Sequence, residues 1–141
     1  EANPEKEISE SKRREIGKTV FIVHGHDVGL KAEVQLLLSR AGINNIVLHE
    51  QLDKGRTVID KLIQEGSDAG YAIALLTPDD SQLDGGKRAR QNVVLELGYF
   101  MGRLGKERVR MLLKGGIEMP TDLSGVLYER YDRAWGGRLN C

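Results

Sequence analysis

The residues able to do chemistry fall into a few short stretches. His24-Gly25-His26-Asp27 closes an apolar run. Gly55-Arg56-Thr57 follows a polar segment that contains His49. Thr77-Pro78-Asp79-Asp80 closes a second apolar run, and Lys87-Arg88-Ala89-Arg90-Gln91-Asn92 leads into Val93-Val94-Leu95-Glu96-Leu97-Gly98-Tyr99-Phe100. Two histidines and an aspartate within four residues suggest half a metal site. Alternate residues after a strand point to opposite sides, however, and neither HExxH spacing nor a second ligand pair is present, so no metal is expected. A better use of the first stretch is that Gly25 lets the backbone approach a ligand, while the loop N–H groups and the following helix start hold phosphate or hydroxyl groups. Gly55-Arg56-Thr57 suits an anion, since it combines a glycine, a guanidinium and a capping hydroxyl at a helix start. Asp79-Asp80 suits ribose hydroxyls or a metal, or is simply a solvated loop. His49 reads as a hydrogen-bonded framework residue.

Between Arg90 and Arg103 the only formally charged side chain is Glu96. On a helical wheel it sits at the margin of the core-facing stripe, with Asn92 at i−4, Tyr99 at i+3 and Phe100 at i+4. A carboxylate among apolar neighbours is costly to desolvate, so it has a partner or a task. The two readings are a structural glutamate paired with an arginine across the sheet, and a carboxylate with a functional task.

These groups must be held by a scaffold. Thr19 to Val23, Asn45 to His49, Tyr71 to Leu76, Arg108 to Leu113 and Val126 to Tyr131 are short, β-branched or continuously apolar runs, and they read as five strands. Leu30 to Arg40, with Val34, Leu37, Leu38 and Ala41, has helical spacing and stops at Gly42. Thr57 caps a second helix through Val58, Ile59, Leu62 and Ile63. Ala89 to Leu104 is a long helix with Val93, Val94, Leu97, Phe100, Met101 and Leu104 on one side, ended by Gly105. Asp79 to Lys87 is polar and Gly-rich, and reads as a loop. Apolar strands alternating with helices predict a parallel sheet covered on both faces. The arrangement expected is a flavodoxin-like doubly wound α/β sheet of order 2-1-3-4-5, whose ligands bind at the carboxyl ends of the strands near the switch point between strands 1 and 3. The stretches above are the loops at that edge.

Composition narrows the function classes. The chain has 141 residues, enough for one domain with a core that needs no staples. Lys plus Arg and Asp plus Glu each count 21, so the formal net charge is zero. That argues against a nucleic-acid binder relying on bulk positive charge and against attraction to an anionic membrane. The single cysteine, Cys141, excludes an intrachain disulfide and a multi-cysteine zinc site, and fits a reducing, cytoplasmic compartment. No apolar run approaches the ~20 residues of a spanning helix, and the N-terminus is too charged for a signal peptide. Residues 1–17 read as a charged tail or linker and 18–141 as the folded domain. Both ends are consistent with a piece of a longer chain.

Several familiar chemistries are missing. GxxxxGK[ST] is absent, as is GxGxxG after the first strand. A phospho-receiver needs an acidic pair after strand 1 and a lysine after strand 5, which these residues do not supply. There is no GxSxG elbow.

In order along the chain, Val20-Phe21-Ile22-Val23-His24-Gly25-His26-Asp27, Gly55-Arg56-Thr57, Leu75-Leu76-Thr77-Pro78-Asp79-Asp80 and Arg88-Ala89-Arg90-Gln91-Asn92-Val93-Val94-Leu95-Glu96-Leu97-Gly98-Tyr99-Phe100 closely resemble the bacterial TIR-like (Toll/interleukin-receptor-like) domain, described as nucleotide-binding. That domain is the effector end of cyclic-nucleotide-activated anti-phage proteins of the CBASS and Pycsar type. The resemblance spans Lys18 to Trp135, and the RARQNVVLELGYF block is its most specific part. It implies the flavodoxin-like fold and cleavage of the nicotinamide–ribose bond of NAD+, with Glu96 in the position of the family's catalytic glutamate. It further implies a nucleotide cleft lined by His24, Gly25, Asp27, Thr77 and Asp79. Arg56 would lie in the loop used for gating and self-assembly, and Arg90 and Asn92 would contact phosphate or ribose. NAD+ would be consumed as substrate, so no separate cofactor is expected. The implied partners are further copies of the domain, through TIR–TIR contacts, and a sensor domain that responds to a cyclic nucleotide and is not read in these residues. The physics of the reaction agrees. N-glycoside cleavage passes through an oxocarbenium-like state that one positioned carboxylate stabilises, and nicotinamide leaves without a strong acid. The alternatives are a catalytically silent TIR interaction module and a nucleotide-binding domain acting on another N-glycoside.

Overall fold

The computed structural model describes residues 18–47, 58–81, 83, 85–117, 123 and 125–132. Among these are seven strands and three α-helices: β1 Thr19–Val23, α1 Val28–Arg40, β2 Asn45–Val47, α2 Val58–Glu65, β3 Ala69–Leu76, β4 Asp80–Ser81, β5 Lys87–Arg88, α3 Gln91–Leu104, β6 Val109–Leu113 and β7 Tyr128–Arg130. Five strands form one sheet in the order β2-β1-β3-β6-β7, and every neighbouring pair is parallel. With β4 and β5 left out of the count, this is the expected 2-1-3-4-5 sheet.

Alternation along the strands sorts side chains onto the two faces. Phe21 and Val23, Ala72, Ala74 and Leu76, and Val109, Met111 and Leu113 pack with Leu62 of α2 and with Val93, Leu97, Phe100 and Leu104 of α3. Ile22, Leu75 and Leu112 face the other way and pack with Leu30 and Val34 of α1. The core is aliphatic, as the composition requires. Its aromatic contribution is a small cluster in which the Phe21 and Phe100 rings lie 4.8 Å apart and Tyr99 meets Phe100 edge-on at 5.1 Å.

The helix ends follow their local chemistry. Asp27 caps α1 by accepting the Leu30 N–H at 2.9 Å, which draws the helix start to Val28, two residues before the periodicity alone places it. At the other end Gly42 takes φ +75°, and the Ile43 N–H reaches back to the Leu38 carbonyl at 2.9 Å. Ala41, expected on the apolar stripe, is instead the exposed C-cap residue. Gly105, at φ +82°, ends α3 as expected. In α2 the apolar positions divide. Leu62 enters the core, while Ile59 and Ile63 are exposed.

Two further sequence expectations are corrected. The stretch from Asp79 to Lys87, expected as a loop, contains a two-residue antiparallel ribbon, β4 with β5, in which Asp80 is the register partner of Arg88 and Ser81 of Lys87. The last strand is shorter than expected. It runs only Tyr128–Arg130, with all three residues exposed, and Val126 ahead of it is buried in the core. Among the described residues, no helix is long and apolar enough to cross a membrane.

Candidate functional site

The loops after β1 and β3 meet at the carboxyl edge of the sheet, and a single carboxylate joins them. Asp79 Oδ1 accepts the Thr77 hydroxyl at 2.8 Å, and Oδ2 accepts the His26 backbone N–H at 3.2 Å. The Asp79 N–H donates to the Thr77 carbonyl at 2.8 Å, which makes a tight turn around Pro78. Thr77 itself is buried. The Asp79 carboxylate lies directly across Gly25, where a Cβ would overlap Oδ2. Gly25 does permit a close approach to the backbone, as its position after the strand suggested. In this structure the approaching group is the chain's own Asp79.

His24 sits half-buried beside this junction. Its Nδ1 lies 2.9 Å from the Gly25 carbonyl oxygen. A carbonyl can only accept, so that contact places a proton on Nδ1 and leaves Nε2, in the neutral ring, as an acceptor.

Asp27 is engaged twice. Besides capping α1 through Oδ1, it binds Lys114 through Oδ2 at 2.7 Å. The Lys114 ammonium holds the Asp27 carboxyl below its ordinary value of 3.8, helped by the Leu30 N–H and opposed by burial. The same bond raises Lys114 above 10.5. Lys114 also stands 5.3 Å from the ring centroid of Tyr131, whose hydroxyl donates to Glu33 Oε2 at 2.7 Å. Neither Lys114, Tyr131 nor Glu33 was singled out by the sequence motifs. Their partners are 87 and 98 residues apart in the chain, and only the strand order brings them together. The available signal was that order itself, which sets the ends of the first and fourth parallel strands on either side of the third.

Glu96 lies near the middle of α3, the helix that leaves the β5 side of this edge. It is 7% exposed and shares a helix face with Val93, Leu97 and Phe100, which resolves its marginal place on the wheel in favour of burial. Arg90 is the N-cap residue of α3 and half-buried, and its carbonyl accepts the N–H groups of Val93 and Val94. Asn92, one residue into the helix, is exposed. The structure thus brings His24, Gly25, Asp27, Thr77 and Asp79 into one junction, and places Arg90, Asn92 and Glu96 along the helix that follows it. Arg56, and with it Gly55, Thr57 and His49, lies outside the described residues. A cavity of about 510 Å³ is lined by residues of β2 and the run into β3, among them Asn45, Gln64, Glu65 and Asp68. Gln35 of α1 and Ile46 and Val47 of β2 complete its lining, and it shares no residue with the junction.

Residues 19–133 match the family described as "CAP12/Pycsar effector protein, TIR domain". Among curated proteins, the chain is 46% identical over 128 residues to the uncharacterized protein YuaY of Escherichia coli K12, covering 87% of this chain and 43% of that one. It is 34% identical over 127 residues to protein tirC of Dictyostelium discoideum, covering 79% of this chain and 63% of that one. It is 36% identical over 73 residues to the Pycsar effector protein PaPycTIR of Pseudomonas aeruginosa, covering 48% of this chain and 24% of that one. The chain therefore spans less than two thirds of the length of each of these relatives.

Proposed function

The chain belongs to the TIR-domain family of CAP12/Pycsar effectors, and on that premise we propose that it is an NAD+ glycohydrolase, cleaving the nicotinamide–ribose bond as the effector domain of an anti-phage response. The observation that carries this reading is Glu96, a carboxylate 7% exposed on the helix that follows the switch-point loops. A buried carboxylate in a site of low dielectric interacts strongly with positive charge that develops only in the transition state. The anomeric carbon of an NAD+ ribose gains that charge as nicotinamide departs. Glu96 then acts as the catalytic residue, stabilising the oxocarbenium-like state and orienting the attacking water or hydroxyl.

The remaining residues have supporting roles in this reading. His24 and Gly25 line one wall of the nucleotide cleft, and Thr77 with Asp79 forms the other. Asp27 lines the cleft through its hold on the β1 loop. Arg90 and Asn92, at the start of α3, meet phosphate or ribose, and Arg56 belongs to the gating loop. Assembly of copies is the activating step, supported by the exposed apolar side chains Ile59, Ile63 and Leu95 on the two helices that cover one sheet face. A sensor domain that responds to a cyclic nucleotide would set that assembly in motion. Nicotinamide release from NAD+ by the concentrated chain, compared with Glu96→Ala, tests the reading.

A further inference from the structure

Four side chains form a ring along the α1 side of the carboxyl edge. Asp27, the cap of α1, binds Lys114, which directly follows β6. Lys114 stands against the ring of Tyr131, which follows β7, and Tyr131 returns to α1 through Glu33. The sheet's last backbone bonds anchor the two outer members. The Lys114 N–H donates to the Leu76 carbonyl at 3.0 Å, and the Tyr131 N–H to the Leu113 carbonyl at 2.7 Å. Because β3 lies between β1 and β6, the Asp27–Lys114 bond reaches across the carboxyl end of β3. The β1 loop is therefore held twice, by Asp79 from the β3 loop and by Lys114 from the end of β6.

We propose that Lys114 is a positioning residue for the candidate site: by gripping Asp27 it fixes the β1 loop, and with it His24 and Gly25, at the switch point. The proposal rests on the NAD+-cleavage reading for its kinetic consequence. None of the four ring residues lies on α3, so the ring governs where the binding loop sits and leaves the position of Glu96 alone. Loss of Lys114 accordingly weakens substrate binding more than turnover. The effect is moderate, because the two side chains keep 40% and 26% of their surface exposed.

The test uses the whole chain with NAD+. Lys114→Met raises KM about fivefold, the size that a part-exposed charge-assisted bond supports, while kcat holds within about twofold. Lys114→Arg restores KM. Asp27→Asn, which keeps an oxygen for the Leu30 cap, reproduces Lys114→Met, and the double variant is no worse than either. An unchanged KM in Lys114→Met, or equal losses in the Met and Arg variants, overturns the proposal. A second readout separates this proposal from the reading beneath it. Amide exchange at His26 and Leu30 quickens in Lys114→Met whether or not NAD+ is the substrate. Faster exchange in a chain that never cleaves NAD+ supports the positioning role and rejects the NADase reading, whereas unchanged exchange overturns the positioning role. Should Lys114→Met not fold, Lys114→Gln, which also removes the charge, carries the same predictions.

Discussion

The Asp79 carboxylate lies over Gly25 so closely that no side chain fits between them. This relationship joins the β1 and β3 loops and gives Gly25 a reason within the chain itself. Gly25→Ala pushes the flexible Asp79 side chain off the His26 N–H and Thr77 hydroxyl, and the two lost hydrogen bonds cost about 1–3 kcal/mol together. In an Asp79→Ala background the added methyl has room, and the cost falls below about 1 kcal/mol by the same argument. Denaturant unfolding of the four proteins in this cycle measures the coupling. Equal costs of Gly25→Ala in both backgrounds would show that the two residues do not meet as described.

The Asp27–Lys114 bond has a pH signature with a definite sign. The Asp27 carboxyl is lowered from 3.8 in the folded chain, so its stabilisation is present above 3.8 and disappears as pH falls through the lowered value. Lys114 is raised from 10.5, so its share is complete below 10.5 and disappears as pH rises through the raised value. The stability difference between wild type and Asp27→Asn is therefore flat between these limits and shrinks at both extremes. Thermal melts across pH check this. A difference that grew on acidification would place the carboxylate in some other role.

Phe100 supports Glu96 one helical turn away and anchors α3 to Phe21 at 4.8 Å. It is fully buried. Phe100→Ala should destabilise the fold by about 3–5 kcal/mol, the usual range for a buried aromatic truncated to alanine. Phe100→Leu fills much of the space and should cost less, while lowering turnover more than it lowers stability by shifting the α3 face that carries Glu96. Melting temperature and NAD+ turnover measured on the same preparations separate the two effects. A Leu variant that loses stability and keeps full turnover would contradict the link between Phe100 and Glu96.

Much of the fold was legible because its signals are local. Continuous apolar runs mark the central strands, and Gly42 and Gly105 mark helix ends by adopting positive φ. The helical wheel left Glu96 at the margin of the core-facing stripe, and the packing of α3 on the sheet decides for burial. What the sequence did not disclose depends on distant partners. The β4–β5 ribbon has no apolar alternation to announce it, since it is written in Asp80, Ser81, Lys87 and Arg88. Asp27 was visible as a residue of the β1 loop, but its partner Lys114 carried no local signal, and only the sheet order sets the two 2.7 Å apart. For the same reason Asp79, far along the chain, was not visible as the group that lies across Gly25.

The central claim is that Glu96 is the catalytic carboxylate of an NAD+-cleaving TIR domain. Its most direct test is the rate of nicotinamide release from NAD+ by the concentrated chain, wild type against Glu96→Gln, with folding checked by circular dichroism. The neutral amide keeps the shape of the side chain and removes the charge that stabilises the oxocarbenium-like state, so a fall of at least about 100-fold is expected, in line with the loss of one preorganised stabilising group. A folded Glu96→Gln variant that releases nicotinamide at the wild-type rate would contradict the account.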